Sequence, residues 1–462
     1  MTDTNKRRPL RGPNPAVTRI FADFVSRTQW SELPDTVHQA VRRAAVNTLS
    51  GIVGGCQDPC MSYLLAALEP FMGPRIATLP GRNFRVDMPS AAFLNAVSAN
   101  VLDFDDTHWP TIIHPGAPIL PPLLALSSEM KVSGADLLNA FALGMEVECR
   151  LGITLHPKHY VRGWHITSTC GTVGAAAAAA KLMGLDETRI MYAMGIAANC
   201  ASGLVENLSS MAKSVGVGNA ARNGLSAAYM AQAGVDAAAT ALEGPFGFLQ
   251  VFGDRTSMEV ALESLGTRWE LLNQAPKPYP SCAVSFPVID AILDIRSKPG
   301  FTVNDIAHVQ VRGNPLMLVR AGRATALNGR EAKLSIRHSV AIAMLNGRAR
   351  VQDYMDSSIN DPATAALALL VYSEADSAIK ADAADVKVTM KNGTVFECSV
   401  THSRGTPARP LNDEELSEKA LGLLAYGAPN LSAQQLLDGF WSIDTLQDIR
   451  ELLAMTVPFN PD

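Results

Sequence analysis

Charge is scarce in this chain. Only 18% of its 462 residues are Asp, Glu, Lys or Arg, against about 25% in an average soluble protein. With 47% hydrophobic residues, that shortage points to a large core or an extensive subunit interface. Positive charge gives no overall field either. The net charge of −5 excludes a global attraction to nucleic acid or to an anionic membrane. The one basic cluster, Lys6, Arg7, Arg8 and Arg11, reads as part of a solvated tail. Uninterrupted apolar runs are missing. No window reaches the ~18 residues of a membrane span, and the first fifteen residues lack the apolar stretch of a signal peptide. A cytoplasmic location is therefore expected. Paired cysteine is missing as well. The seven cysteines, an odd number in a long chain, fit free thiols in a reducing compartment. Cys56 and Cys60 have no second Cys/His pair at zinc-site spacing nearby, so no metal is expected there.

What is present is mostly helix. Residues 34–55 place Val37, Val41, Ala44, Ala45 and Leu49 at helical spacing. Ser133 and Asp136 supply capping residues for a helix over 137–151. Residues 172–183 contain six consecutive alanines, which favour helix and let neighbouring helices approach closely. Helices are also expected over 219–234 and 236–242. The pattern changes near Pro276. Residues 306–312 alternate apolar and polar, as a half-buried strand does. Two further alternating runs flank Asn392-Gly393, the strongest short hairpin signal. Helices over 331–345 and 361–368 lie between these strands. Residues 413–455 return to helix and are expected to rejoin the first part. The fold class is therefore mainly α. A large helical domain (1–271, with 406–462 returning to it) accompanies a smaller α+β domain (272–405).

Four stretches carry candidate chemistry. Residues 103–114 hold three carboxylates, Asp103, Asp105 and Asp106, and two histidines, His108 and His114, between apolar flanks. Burying so many ionisable groups is costly without partners. The alternative is a solvated loop between helices. Residues 163–171 place His165 ahead of the alanine-rich helix. A helix N-terminus lowers a histidine pKa and attracts a carboxylate. The hydroxyls of Thr167, Ser168 and Thr169 are suited to cap that helix or to hold the anion. Residues 211–224 contain Lys213 and Arg222 among glycines. The stretch matches neither GxGxxG nor GxxxxGK[ST] and follows no strand, so nucleotide binding is rejected and both cations read as carboxylate partners. Residues 276–282 hold Lys277, Tyr279 and Cys282 in a segment stiffened by three prolines. It lies at the domain junction, a common place for ligands. Histidines suit general acid–base work, and Lys/Arg suit an enediolate-like charge on a carboxylate. No cofactor or metal is implied.

At these same residues the chain resembles the MmgE/PrpD family. The likeness rests on DFDDTHWPTIIHPGAP (103–118), GWHITSTCGTVGAAAAAAKLMGLD (163–186), GNAARNGLSAA (218–228), LEGPFGFLQVF (242–252) and KPYPSC (277–282), in the family's order. It covers residues 15–455. The resemblance implies a helical domain with an α/β lid, a homodimer, and metal-free catalysis in the cleft between the domains. The family's activities are those of 2-methylcitrate dehydratase, cis-aconitate decarboxylase and iminodisuccinate epimerase. Carried over residue by residue, the decarboxylase's pattern falls on Asp103, Thr107, His114, His165, Lys213 and Lys277. It departs at Arg320, where the decarboxylase has a tyrosine. It departs again at Gly216, Asn219 and Phe286, where many members have histidines. The expectation is a cofactor-independent lyase or isomerase acting beside a carboxylate of a small di- or tricarboxylic acid. His165, His114, Asp103, Lys213 and Lys277 are the catalytic candidates. Thr107, Arg222, Tyr279, Arg320 and Cys282 are the substrate-binding ones. The competing expectation, a non-catalytic helical binding protein, requires the histidines and lysines to lie apart.

Overall fold

Small side chains bring the helices of the larger part together. The computed structural model describes residues 16–253 and 258–458, so the basic cluster of the N-terminal tail lies outside the described residues. Six long helices form the first core: Asp35–Gly55, Met88–Val101, Gly116–Ser127, Gly134–Leu155, Ile166–Leu182 and Ala212–Ala233. The alanines at 175–180 are all fully buried. Their size allows near backbone contact. A Cβ added to Gly144 would stand 2.7 Å from the Ala178 methyl and 2.9 Å from the Gly174 carbonyl oxygen. Side chains larger than alanine do not fit between the helices Gly134–Leu155 and Ile166–Leu182 at that point.

The second core is α+β. Its four-stranded sheet runs Val371–Ala375, Ile306–Gly313, Ala384–Met390, Val395–Val400 in spatial order. The first pair is parallel; the other two are antiparallel, with Val388 opposite Phe396. Gly393 takes φ +84° in the turn joining the last two strands, so the Asn-Gly hairpin forms as its sequence requires. Helices Phe286–Ser297 and Ile336–Asn346 pack against the sheet in this core. The tail forms three helices, Asp413–Gly427, Ala433–Trp441 and Ile449–Met455. Their Leu416, Leu423, Phe440 and Leu452 join the first core.

Two expected helices differ. Residues 236–242 form irregular chain and turns instead. Gly234 ends the preceding helix at φ +104°, and Thr18 holds the segment through Leu242 N–H and the Glu243 carboxylate. The helix expected over 331–345 is broken. Gly329–Ala332 stops, and Ser335 caps a new helix by accepting from His338 N–H at 3.3 Å. The break places Lys333 and Leu334 beside the site described next.

Candidate functional site

The helix Met88–Val101 ends at Leu102, and Asp103 then adopts φ +54°. Aspartate tolerates this left-handed conformation better than most residues. The turn sends Asp106–His108 into a short antiparallel pairing with Gln274–Pro276, with Asp106 opposite Pro276. Lys277 N–H then donates to the Asp105 carbonyl at 2.9 Å. Two segments far apart in sequence thereby deliver a lysine to two carboxylates. Lys277 Nζ lies 2.7 Å from Asp103 Oδ1 and 2.9 Å from Asp105 Oδ1. Lys213, from the first turn of Ala212–Ala233, reaches the same Asp103 oxygen at 2.6 Å.

A cavity of about 80 Å³ opens over this cluster. Asp103, Thr107, His114 and His165 line it together with Lys213 and Lys277. Cys282 and Arg320 complete its wall, with Tyr160 and Leu334 beside them. Eight of the ten candidate residues therefore meet in one place.

Hydroxyls fix the histidines. Ser168 Oγ lies 2.7 Å from His165 Nδ1, and Thr169 Oγ1 lies 2.7 Å from His159 Nε2. Thr167 Oγ1 accepts from His114 N–H at 3.1 Å. His165 is the N-cap residue of Ile166–Leu182, as its sequence position implied. His114 Nδ1 donates to the Asp106 carbonyl at 2.6 Å. A carbonyl only accepts, so in the neutral ring the lone pair lies on Nε2.

Burial and counter-charge set the ionisation. Burial raises the Asp103 carboxyl, but Lys213 and Lys277 outweigh it and hold the group well below the ordinary range. Burial pulls Lys277 down, and Asp103 and Asp105 more than restore it, so it stays a cation above the usual lysine value. His165 is lowered to about 3 by burial and then by Lys213 and His114. His114 is lowered to about 4, again by burial, with Asp105 opposing. Both rings are neutral at neutral pH. Asp106, behind His114, is raised to about 7 by burial and by Asp105. Asp103 and Asp105 balance Lys213 and Lys277. Arg320 stacks over the Tyr160 ring at 5.1 Å, and no carboxylate pairs with it among the described residues, so the cavity keeps a net positive charge. Asp103, Asp105 and His114 offer ligand atoms within 4.8 Å of one another, a spacing that suits a cation. Here the Lys277 ammonium sits between the two carboxylates and is that cation.

Two candidates, Arg222 and Tyr279, do not line this cavity. Arg222 donates to Asn219 Oδ1 at 2.7 Å and stacks over Phe93 at 5.2 Å. It points into the helix packing, because the helix carrying Lys213 turns its next cation to another face. Tyr279 donates to Asp290 Oδ1 at 2.6 Å. The chain bends after Lys277, and Tyr279, with Pro278, lines a different, larger cavity of about 790 Å³. That cavity's arginines are already paired, Arg348 with Asp353, Arg350 with Glu418 and Arg404 with Glu415. It offers less unpaired chemistry than the smaller one. The three positions where many members carry a histidine bring no titratable group to the site. A Cβ on Gly216 would meet Ser168 Oγ at 2.8 Å, Asn219 binds Arg222, and Phe286 is fully buried in the second core.

Sequence reading missed Tyr160, Lys333 and Lys419. Lys419 Nζ donates to Asn47 Oδ1 at 2.7 Å and to the Lys277 carbonyl at 2.9 Å, supporting the Lys277 segment from behind. Burial lowers it to about 7. None of the three stands in a motif. For Lys419 the one signal is a lysine at a core-facing position of an otherwise amphipathic helix.

Comparison with known proteins matches two family domains to this chain. Residues 19–261 match the MmgE/PrpD N-terminal domain and residues 279–443 the MmgE/PrpD C-terminal domain. The cis-aconitate decarboxylase of Mus musculus is 28% identical over 460 residues, 96% of this chain and 93% of the relative. The Homo sapiens cis-aconitate decarboxylase is 28% identical over 461 residues, 96% of this chain and 94% of that protein. The Aspergillus terreus enzyme of the same name is 23% identical over 468 residues, 95% of each. Across nearly its whole length, in both its helical and its α+β parts, the chain belongs to the MmgE/PrpD family.

Proposed function

We propose that the cavity removes a proton from a carbon beside a carboxylate of a small di- or tricarboxylic acid, without a cofactor, as a dehydratase-like lyase. The observation that carries this reading is two neutral histidines, His114 and His165, lining one cavity with the Lys213/Lys277 pair. The same gathering counts against a non-catalytic helical binding protein.

In this scheme one histidine takes the α-proton on its free ring nitrogen. The electron pair moves into the carboxylate and gives an enediolate. Lys213 and Lys277 stabilise that added charge, with Asp103 fixing where the two ammonium groups converge. The abstracted proton is handed on, directly or through the second ring, to the hydroxyl departing from the neighbouring carbon, so the products are an unsaturated acid and water and both histidines end neutral. The low proton affinity of both rings makes their protonated forms strong acids, which suits the second step. Arg320 and Thr107 are the proposed substrate contacts, with Arg320 taking a second carboxylate; Cys282 is the third. Dehydration and epimerisation share the first step, and an epimerase then puts a proton back on the opposite face. A decarboxylase instead generates its carbanion by losing CO₂ and then protonates it.

A decarboxylase is the second reading, favoured by the names of the relatives. Arg320 stands against it, since the decarboxylase pattern carries a tyrosine there. Incubating EDTA-treated protein with 2-methylcitrate, cis-aconitate and iminodisuccinate, with products followed by proton NMR, separates the three. Loss of water supports the proposal, loss of CO₂ or inversion replaces it with a sister activity, and inertness toward all three acids counts against it. The proposal extends to a homodimer acting on a small acid, with no role for nucleic acid. No helix among the described residues is long and apolar enough to cross a membrane.

A further inference from the structure

Lys333 occupies the three-residue break between the helices Gly329–Ala332 and Ile336–Asn346. It is buried, and its neighbours Ala332 and Ile336 belong to the second core. Its Nζ donates to the Leu102 carbonyl at 2.6 Å, across 231 positions of sequence. Leu102 immediately precedes Asp103, the residue held at φ +54°. The Lys333 carbonyl accepts from Cys282 N–H at 3.1 Å, and the next residue, Leu334, lines the catalytic cavity with Cys282. Asp103 and Asp58 face the ammonium as anions, and Lys213 and Arg330 as cations. Asp58 is bound by Arg330 at 2.9 Å.

A left-handed aspartate persists only where its surroundings fix it. Asp103 N–H already donates to Asn100 at 2.9 Å from its own helix end, and Lys333 secures the preceding carbonyl from the other core. We propose that Lys333 is a positioning residue, which through the Leu102 carbonyl fixes the turn at Asp103 and hence the point where Lys213 and Lys277 converge. This rests on the proposed catalytic role of that cluster for its effect on rate, but not for its effect on the turn. Burial lowers Lys333 to about 8, against the pull of Asp103. Its charge beside Asp103 is therefore lost at mildly alkaline pH.

The test uses the full chain with Lys333→Met and Lys333→Arg. Peptide-resolved hydrogen exchange reads the turn without any substrate. In Lys333→Met, amides at 102–107 exchange about tenfold faster, while those of Gly134–Leu155 and Ile166–Leu182 keep wild-type rates. On the substrate the wild type turns over, Lys333→Met is lower in kcat/KM by on the order of 10², the cost of a displaced reacting group. It also lacks the wild-type decline above about pH 8, whereas Lys333→Arg keeps most of the rate and carries its charge to higher pH. Wild-type exchange at 102–107 in Lys333→Met overturns the proposal whatever the activity. So does faster exchange with an unchanged kcat/KM and pH profile, since the strut would then have no bearing on the cluster. A wild type inert on every substrate offered counts against the functional reading alone, and the exchange result still decides the role of Lys333.

Discussion

His165 and His114 are neutral because burial, more than any neighbour, disfavours their charged forms. That has a consequence for pH. A base with an ordinary histidine pKa near 6.5 is about half protonated at that pH. With values of about 3 and 4, both rings remain unprotonated well into mild acid. The kcat/KM of the free enzyme is accordingly expected to stay level between about pH 7.5 and pH 5.5. A fall centred near 6.5 in a stopped assay would contradict the depressed values. Tyr279 gives a prediction of the opposite kind. It donates to Asp290 and lies outside the proposed site's cavity, so Tyr279→Phe is expected to leave KM unchanged and to lower stability by about 1–3 kcal/mol, the cost of a buried carboxylate losing a partner. A KM rise in a variant of unchanged melting temperature would return Tyr279 to the substrate site. At this scale the sequence was legible where ionisable residues cluster between apolar flanks, as at 103–114. It was not legible for Tyr160 or Lys333. Each is a single residue in an ordinary surrounding, and a contact across 231 positions leaves no local trace.

Whole elements were readable when their local signals agreed. The Ser133 cap, the alanine run and the Asn-Gly turn each specify backbone without help from distant residues, and each forms as expected. The two segments that differ, 236–242 and 331–345, are those where tertiary partners override propensity, Thr18 in one case and the cavity wall in the other. The helix Gly134–Leu155 holds a feature that periodicity cannot show. Glu148 is fully buried, and both its carboxyl oxygens lack a hydrogen-bond partner among the described residues. Burial first, and then Asp106, raises its carboxyl well above the usual value. The folded chain thus holds this proton at pH values where the unfolded chain has released it. Stability from this group is full below about pH 4.3, the unfolded value, and is lost progressively as pH rises toward the folded one. Glu148→Gln removes that loss. Its melting temperature should exceed that of the wild type by a margin that widens from pH 5 to pH 8. An equal difference at both values would mean that Glu148 is not held protonated.

The site belongs to neither core alone. Asp103, His114, His165 and Lys213 come from the helical part, whereas Lys277, Cys282, Arg320 and Leu334 lie on the segments leading to and within the α+β part. Composition and the pattern change near Pro276 were enough to read two kinds of structure. They could not show that the pairing of Asp106–His108 with Gln274–Pro276 is what joins the carboxylates to Lys277, because three-residue strands carry almost no periodic signal. The central claim is that this joined cluster breaks a C–H bond beside a carboxylate. The most direct measurement is proton NMR in D₂O of a substrate acid with wild-type protein and with His165→Ala, both treated with EDTA. The wild type is expected to introduce deuterium at the carbon beside the carboxylate, and His165→Ala, folded as judged by circular dichroism, to slow that exchange by on the order of 10² to 10⁴. Exchange at the wild-type rate in folded His165→Ala would contradict the assignment of the proton to this cavity.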